Sequence, residues 1–111
     1  MRKFVEIRSY NLEPGTRAQF HQLVQQQLLP LLHKRGIDVV AHGPSLHDEA
    51  SYFVMRAYAS LAERAASQDT MYASAEWKDG PREAILDLIE NYTSFVIEMD
   101  EVTIQALREH A

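Results

Sequence analysis

Three segments of the chain alternate in side-chain character with a period of two residues, and the two faces so defined differ in kind. In Phe4–Tyr10, residues Val5, Ile7 and Ser9 alternate with Phe4, Glu6, Arg8 and Tyr10. In Tyr52–Tyr58, residues Phe53, Met55 and Ala57 alternate with Tyr52, Val54, Arg56 and Tyr58. In Thr93–Met99, residues Phe95, Ile97 and Met99 alternate with Ser94, Val96 and Glu98. Period two marks strands. One set is almost wholly apolar, whereas the other mixes large aromatics with paired acids and bases, so neither face is an ordinary solvated surface.

The remaining segments supply helices and one further strand. Phe20, Leu23, Val24, Leu28, Leu31 and Leu32 recur at three- and four-residue steps, opposite Gln22, Gln25 and Gln26, which predicts a helix with one core face. Thr16 and Gln19 have capping-box spacing at its start, while Pro30 removes the amide that would bond the Gln26 carbonyl and predicts a bend before an end near Gly36. Residues 37–41 read as a second strand, with a bulge expected at Gly43-Pro44 on a sheet edge. Ser60 and Glu63 form a second capping box, opening a helix to about Thr70. A short turn around Trp77 follows, and a helix from Pro81 is expected to carry Ile85, Leu88, Ile89 and Tyr92 on one face. Asp100 is placed to cap a short C-terminal helix. With 111 residues and 46% hydrophobic content, the chain builds one core: residues 1–99 form the domain and 100–111 a tail.

The order strand, helix, strand, strand, helices, strand is the ferredoxin-like split βαβ pattern, an α+β fold with helices on one face of an antiparallel sheet. In that order the first strand lies between the third and fourth, which brings Glu6, Arg8, Arg56 and Glu98 within pairing range. The expectation from composition is that helices cover the apolar set and a twin subunit covers the charged, tyrosine-bearing set. A homodimer follows, enclosing a cavity on the non-helical sheet face.

The motifs Phe4-Val5-Glu6-Ile7-Arg8-Ser9-Tyr10, Pro14-Gly15-Thr16, Leu29-Pro30-Leu31-Leu32, Tyr52–Tyr58 with Arg56, and Ser74-Ala75-Glu76-Trp77 leading to Gly80-Pro81 resemble the NIPSNAP family over about residues 3–99. That resemblance implies a dimeric α/β barrel, in which two ferredoxin-like chains pack their sheets into a shared barrel. The family carries no agreed reaction, so the resemblance transfers no catalytic residue.

The chemistry is narrowed mainly by exclusion. With no cysteine, the chain is not a disulfide scaffold, a zinc finger or an iron–sulfur protein. A formal charge of -5 gives no cationic surplus for nucleic acid. No apolar run reaches the length of a bilayer span, and the expected location is cytoplasmic, without a membrane partner. Five histidines lack ligand spacing, so no metal and no cofactor is expected. Gly-x-Ser-x-Gly elbows and glycine-rich phosphate loops are also missing. What remains is a ligand-binding set: Arg8 and Arg56 as anion-holding groups, Tyr10 and Tyr58 as walls and hydrogen-bond donors, and Glu6 and His42, which with Glu98 are also the candidate acid–base groups. A small organic molecule, anionic or aromatic, is the expected ligand. Two alternatives use the same residues: an interaction module in which that face only dimerises, and a cofactor-free monooxygenase.

Overall fold

The computed structural model describes residues 3–110, with the backbone alone at His110. Strand β1 (Phe4–Leu12) leads through Gly15, at φ 78°, into helix α1 (Arg17–Leu23). Thr16 occupies the N-cap position, but its hydroxyl turns back and donates to the Glu13 carbonyl at 2.7 Å instead of capping the helix. A π-turn (Val24–Leu28) joins α1 to α2 (Leu29–Lys34). The Leu29 amide bonds the Val24 carbonyl five residues back. Pro30 thus stands in the first turn of α2, directly after the π-turn, and the widened turn takes up its missing amide without ending the helix. The expected bend is therefore a widened turn. Gly36, at φ 73°, then ends the helix.

Strand β2 (Asp38–Pro44) and β3 (Ser51–Tyr58) form a hairpin. The register slips between Val39 and Ala41, so the bulge lies at Val40 and not at Gly43-Pro44. Gly43 and Pro44 remain in the ladder, opposite Phe53 and Tyr52. Both Val40 and Ala41 consequently join the same buried cluster, which a regular alternation would forbid.

Helix α3 (Leu61–Ala73) starts as its sequence predicts. The Ser60 hydroxyl accepts from the Glu63 amide at 3.0 Å, while the Glu63 carboxylate accepts from the Ala59 amide at 2.7 Å. Ser74 caps the short α4 (Ala75–Lys78). At Gly80 a Cβ would meet the Glu76 carbonyl oxygen at 2.3 Å, so only glycine permits the turn into α5 (Arg82–Leu88). Strand β4 (Ile89–Glu98) begins where the spacing had suggested more helix. Ile89 is already extended and pairs with Leu12, and Tyr92 pairs with Tyr10; pairing along a central strand overrides the helical spacing. Helix α6 (Glu101–His110) follows, with the Asp100 carboxylate accepting from the Thr103 amide at 2.7 Å.

The sheet order is β2-β3-β1-β4, antiparallel at every pairing. This is the ferredoxin-like arrangement, with β1 central as expected. The faces, however, are assigned the other way round. Phe20, Val24, Leu28, Leu31, Leu32, Met71, Trp77 and Ile85 from the helices pack against Tyr10, Tyr52, Val54 and Tyr58. The tyrosine-bearing, charged face is thus the helix-covered one. The apolar face is covered only in part, by α6: Ile104 packs there with Val5, Val40, Ala41, Met55 and Ala57, and Leu107 adds to the contact. Phe95 and Ile97 on β4 stay 54% and 37% exposed. The physical reason is that tyrosine contributes an apolar ring as readily as leucine contributes a chain, and that the Glu6 carboxylate among them is compensated by Arg64 and Gln68.

Candidate functional site

The register that aligns β1 with β3 sets Glu6 opposite Arg56, and β1 with β4 sets Arg8 opposite Ser94 and Tyr10 opposite Tyr92. Because directly opposed residues share a face, Glu6, Arg8, Tyr10, Arg56 and Tyr92 all point toward the helices. Glu6 and Arg56 are fully buried. Glu98 sits opposite Phe4 on the exposed end of β4, outside the cluster expected for it.

Helix α3 completes the charge arrangement. Its residues Arg64, Gln68 and Tyr72 are spaced four apart and so share one stripe. Arg64 donates to one Glu6 oxygen from Nε at 2.9 Å and from Nη2 as well, and Gln68 Nε2 donates to the other oxygen at 2.7 Å. Arg8 Nε lies 3.6 Å from that second oxygen. Burial on its own would raise the Glu6 carboxyl, but hydrogen bonds from Gln68 and Arg64 and the charges of Arg8 and Arg56 hold it below the ordinary carboxylate range. Glu6 is therefore an ionised counter-charge. Its place as an acid–base candidate is not supported by this environment, which removes its proton-donating form near neutral pH.

Arg8 donates from Nη1 to the Tyr72 hydroxyl at 2.6 Å and, at 3.5 Å, to the Tyr10 hydroxyl. Its guanidinium carbon also stands 5.3 Å from the Tyr92 ring centre and 5.5 Å from that of Tyr72. Arg56 differs. None of its three guanidinium nitrogens has a hydrogen-bond partner in the protein, and none is open to solvent. Its guanidinium carbon stands 5.9 Å from the centre of the Tyr72 ring, an attraction worth about 2 kcal/mol in a dry setting, and its charge also acts on Glu6 across the sheet. Burial disfavours the charge on both arginines, yet the surrounding tyrosines, joined by Glu6 at Arg8, keep the two guanidiniums protonated. Burial likewise pushes the Tyr10 phenol up, and it stays neutral.

These groups line a cavity of about 220 Å³ between the β1–β4 side of the sheet and the helices. Arg8, Tyr10 and Arg56 form its sheet side, Tyr72 and Trp77 its wall, and Leu28 enters from the π-turn. Leu86 and Tyr92, 41% and 51% exposed, stand at its outer rim. Trp77 is both a core residue and a cavity wall, its ring edge-on to Tyr72 at 5.2 Å. Arg8, Tyr10 and Arg56 thus line a cavity on the helical side of the sheet, and not on the non-helical face where their alternation had placed them.

Two other proposed ligand residues stand apart. Tyr58 is buried beside the cluster and accepts a hydrogen bond from Gln68 at 3.2 Å. His42 stacks on His21 at 6.3 Å, and His21 shares a hydrogen bond with the Tyr52 hydroxyl. His42 instead faces a shallow groove with His33, Asp38 and Arg108, because β2 lies at the far edge of the sheet from β4. Burial and the neighbouring His21 lower its pKa. Among the described residues, no group of three or more His, Asp or Glu is arranged to hold a metal ion, and no helix is long and apolar enough to cross a membrane.

Tyr72, Tyr92, Arg64 and Gln68 were not marked as site residues by the sequence. The four-residue spacing of Arg64, Gln68 and Tyr72 was the available signal: long polar side chains on the inner stripe of a helix require buried partners.

An antiparallel four-stranded sheet, with helices α1–α5 on one face and a cavity between them, defines a ferredoxin-like α+β domain, to which α6 adds a partial cover on the other face. The family model for NIPSNAP matches residues 5–99, and the chain belongs to the NIPSNAP family. Solved structures agree. An uncharacterised NIPSNAP domain protein from Burkholderia xenovorans aligns with TM-score 0.78 at 19% identity, covering 88% of this chain and 95% of that one. A NIPSNAP family protein of unknown function from Agrobacterium tumefaciens aligns with TM-score 0.79 at 23% identity, covering 86% of each chain. A putative antibiotic biosynthesis monooxygenase from Nitrosomonas europaea aligns more loosely, with TM-score 0.66 at 14% identity, covering 86% of this chain and 88% of that one. No curated protein matches the chain in sequence.

Proposed function

We propose that this NIPSNAP domain binds a small organic anion in the cavity beneath its helices, and that two copies pair through the uncovered apolar face of the sheet. The carrying observation is Arg56. A buried guanidinium without a hydrogen-bond acceptor is costly, and such a group beside a cavity with aromatic walls is the arrangement expected where a ligand supplies what the protein does not. Arg8 and Tyr10 lie next to it on the cavity wall. At 220 Å³ the space is below the usual range of about 300–1,000 Å³ for small-molecule sites, so the ligand is compact.

Pairing rests on the open face. Phe95 and Ile97 remain exposed, Ile7 and Phe53 are half-buried beside the α6 contact, and together they leave an apolar patch on the side away from the cavity. This reverses the geometry expected from composition while keeping both partners, ligand and twin subunit. Native mass spectrometry of the purified chain tests both at once. Twice the 12.7 kDa chain mass, with a retained small anion, is expected. A bare single chain at micromolar concentration overturns the pairing, and a protein that retains or takes up no anion overturns the ligand.

A cofactor-free oxygenase is the second reading, supported by the Nitrosomonas europaea neighbour. In it the same cavity would hold an aromatic substrate against Trp77 and Tyr72, and oxygen consumption on adding candidate phenols would be the readout.

A further inference from the structure

We infer that the cavity selects a monocarboxylate carried on a small apolar body, with Arg56 pairing the carboxylate and Tyr72 yielding to admit it. This deepens the proposed function and depends on the cavity being a ligand site. It rests first on a balance of charge. Within the buried cluster, the Glu6 carboxylate is 3.6 Å from Arg8 and offsets it. Arg64 also pairs with Glu6, but its side chain is 27% exposed and reaches water. Arg56 is left without a hydrogen bond: Glu6, opposite it in the sheet, feels its charge but gives its two oxygens to Arg64 and Gln68. A single carboxylate supplies the acceptor that Arg56 lacks, whereas a phosphate monoester brings further oxygens and a second charge that meet only apolar walls.

Donor geometry points the same way. The Arg8 Nη1 group is committed to the tyrosine hydroxyls, and its Nε faces Glu6. Arg56 retains its whole donor fork, Nε, Nη1 and Nη2, which matches the two oxygens of a carboxylate. The rest of the space is bounded by Leu28, Trp77, Ile85 and Ile89, groups that reward an apolar body and offer no second set of donors. A water molecule can accept from Arg56 but brings no counter-charge.

Access is decided by Tyr72. The Arg56 nitrogens are closed to solvent, and the Tyr72 ring is the aromatic face over its guanidinium. Tyr72 is half-buried, and α3 ends one residue later at Ala73, before an extended Ser74. Its side chain is therefore held by Arg8 and Trp77 more than by its helix. Moving it exchanges a cation–π contact for a charged, bidentate pair, which is the stronger interaction.

Calorimetric titration of the full chain with benzoate, benzamide and phenyl phosphate tests this, since the three share one ring and differ in head group. Benzoate is expected to bind at least about tenfold more tightly than either of the others, the span of one charge-assisted hydrogen bond. Arg56→Met should remove that preference and leave benzoate equal to benzamide, and Arg56→Lys should restore only part of it. Melting curves confirm that both variants fold. Equal benzoate and benzamide binding in the wild type overturns the carboxylate assignment while leaving the cavity as a ligand site. Tighter phenyl phosphate binding overturns the charge balance. No binding by any of the three overturns this inference, and with an anion-free native mass spectrum the proposed function falls too. Tyr72→Ala should speed benzoate association at least tenfold, read by stopped-flow emission of Trp77; an unchanged or slower rate removes Tyr72 from the entry route.

Discussion

The two faces of the sheet solve opposite problems. The helix-covered face carries Glu6, Arg8, Arg56 and four tyrosines from the strands and is buried except at Tyr92 on the β4 edge, whereas the apolar face keeps Phe95 and Ile97 in solvent. Burial therefore follows coverage and local charge compensation, not apolarity alone. A face rich in charges can be a core when its charges are compensated there, and Arg56, whose nitrogens make no hydrogen bond, is the exception on which the proposed ligand rests.

Removing a partner from the covered face should have the largest effect. Glu6→Ala leaves Arg8 and Arg64 facing each other without their shared carboxylate, and denaturant melts should lose about 3–5 kcal/mol. A loss under about 1 kcal/mol would show that the cluster is solvated and erase the contrast between the faces. The open face has its own anchor in Ile104, 3% exposed beneath α6. Ile104→Ala should cost about 2–3 kcal/mol, toward the low end of such truncations because its neighbours Met99 and Leu107 are only partly buried.

Arg56→Met should go the other way. An unpaired buried charge replaced by an apolar chain of similar length is expected to gain about 1–2 kcal/mol without ligand, seen as a higher melting temperature; a loss would mean that Arg56 is satisfied within the fold. The smallest effect on the single chain belongs to Ile97→Asp, within about 0.5 kcal/mol, although the proposed pairing predicts that sedimentation would then report one chain where the wild type reports two.

Acid sharpens the same comparison. Glu6 has a folded pKa below its unfolded value, so the unfolded chain binds more protons between the two and stability rises with pH across that window. The contribution is complete above the ordinary carboxylate value and is lost as pH falls through the folded one. Chemical melts from pH 6 down to pH 2 should show that loss in the wild type and a shallower one in Glu6→Gln.

Most of the fold was legible because local signals agreed with one another. Ser60 with Glu63, Asp100 before its helix and Gly36 after another each state a boundary in their own chemistry. Where the sequence misled, a long-range contact had the final word: Ile89 and Tyr92 have helical spacing but pair with β1, and the slip at Val40 is a response to two layers of packing. The choice of face was illegible for the same reason. Period two sorts residues into sets, but it does not say which set meets the helices, and the outcome depended on Arg64 and Gln68, some sixty positions from Glu6 in the chain. Arg8, Tyr10 and Arg56 could be singled out as a group; Tyr72 and Tyr92, which complete their cavity, belong to a helix and a strand whose relative placement only the assembled sheet determines.

The π-turn has one further consequence. By absorbing an extra residue at Val24–Leu28, it resets the rotational phase between α1 and α2, so Phe20 meets the tyrosines and Leu28 lines the chamber beside Arg56 without either dictating the angle of the other. Deleting a single glutamine from Gln25–Gln27 would force both halves onto one common pitch. The chamber would change shape although none of its lining residues had been replaced.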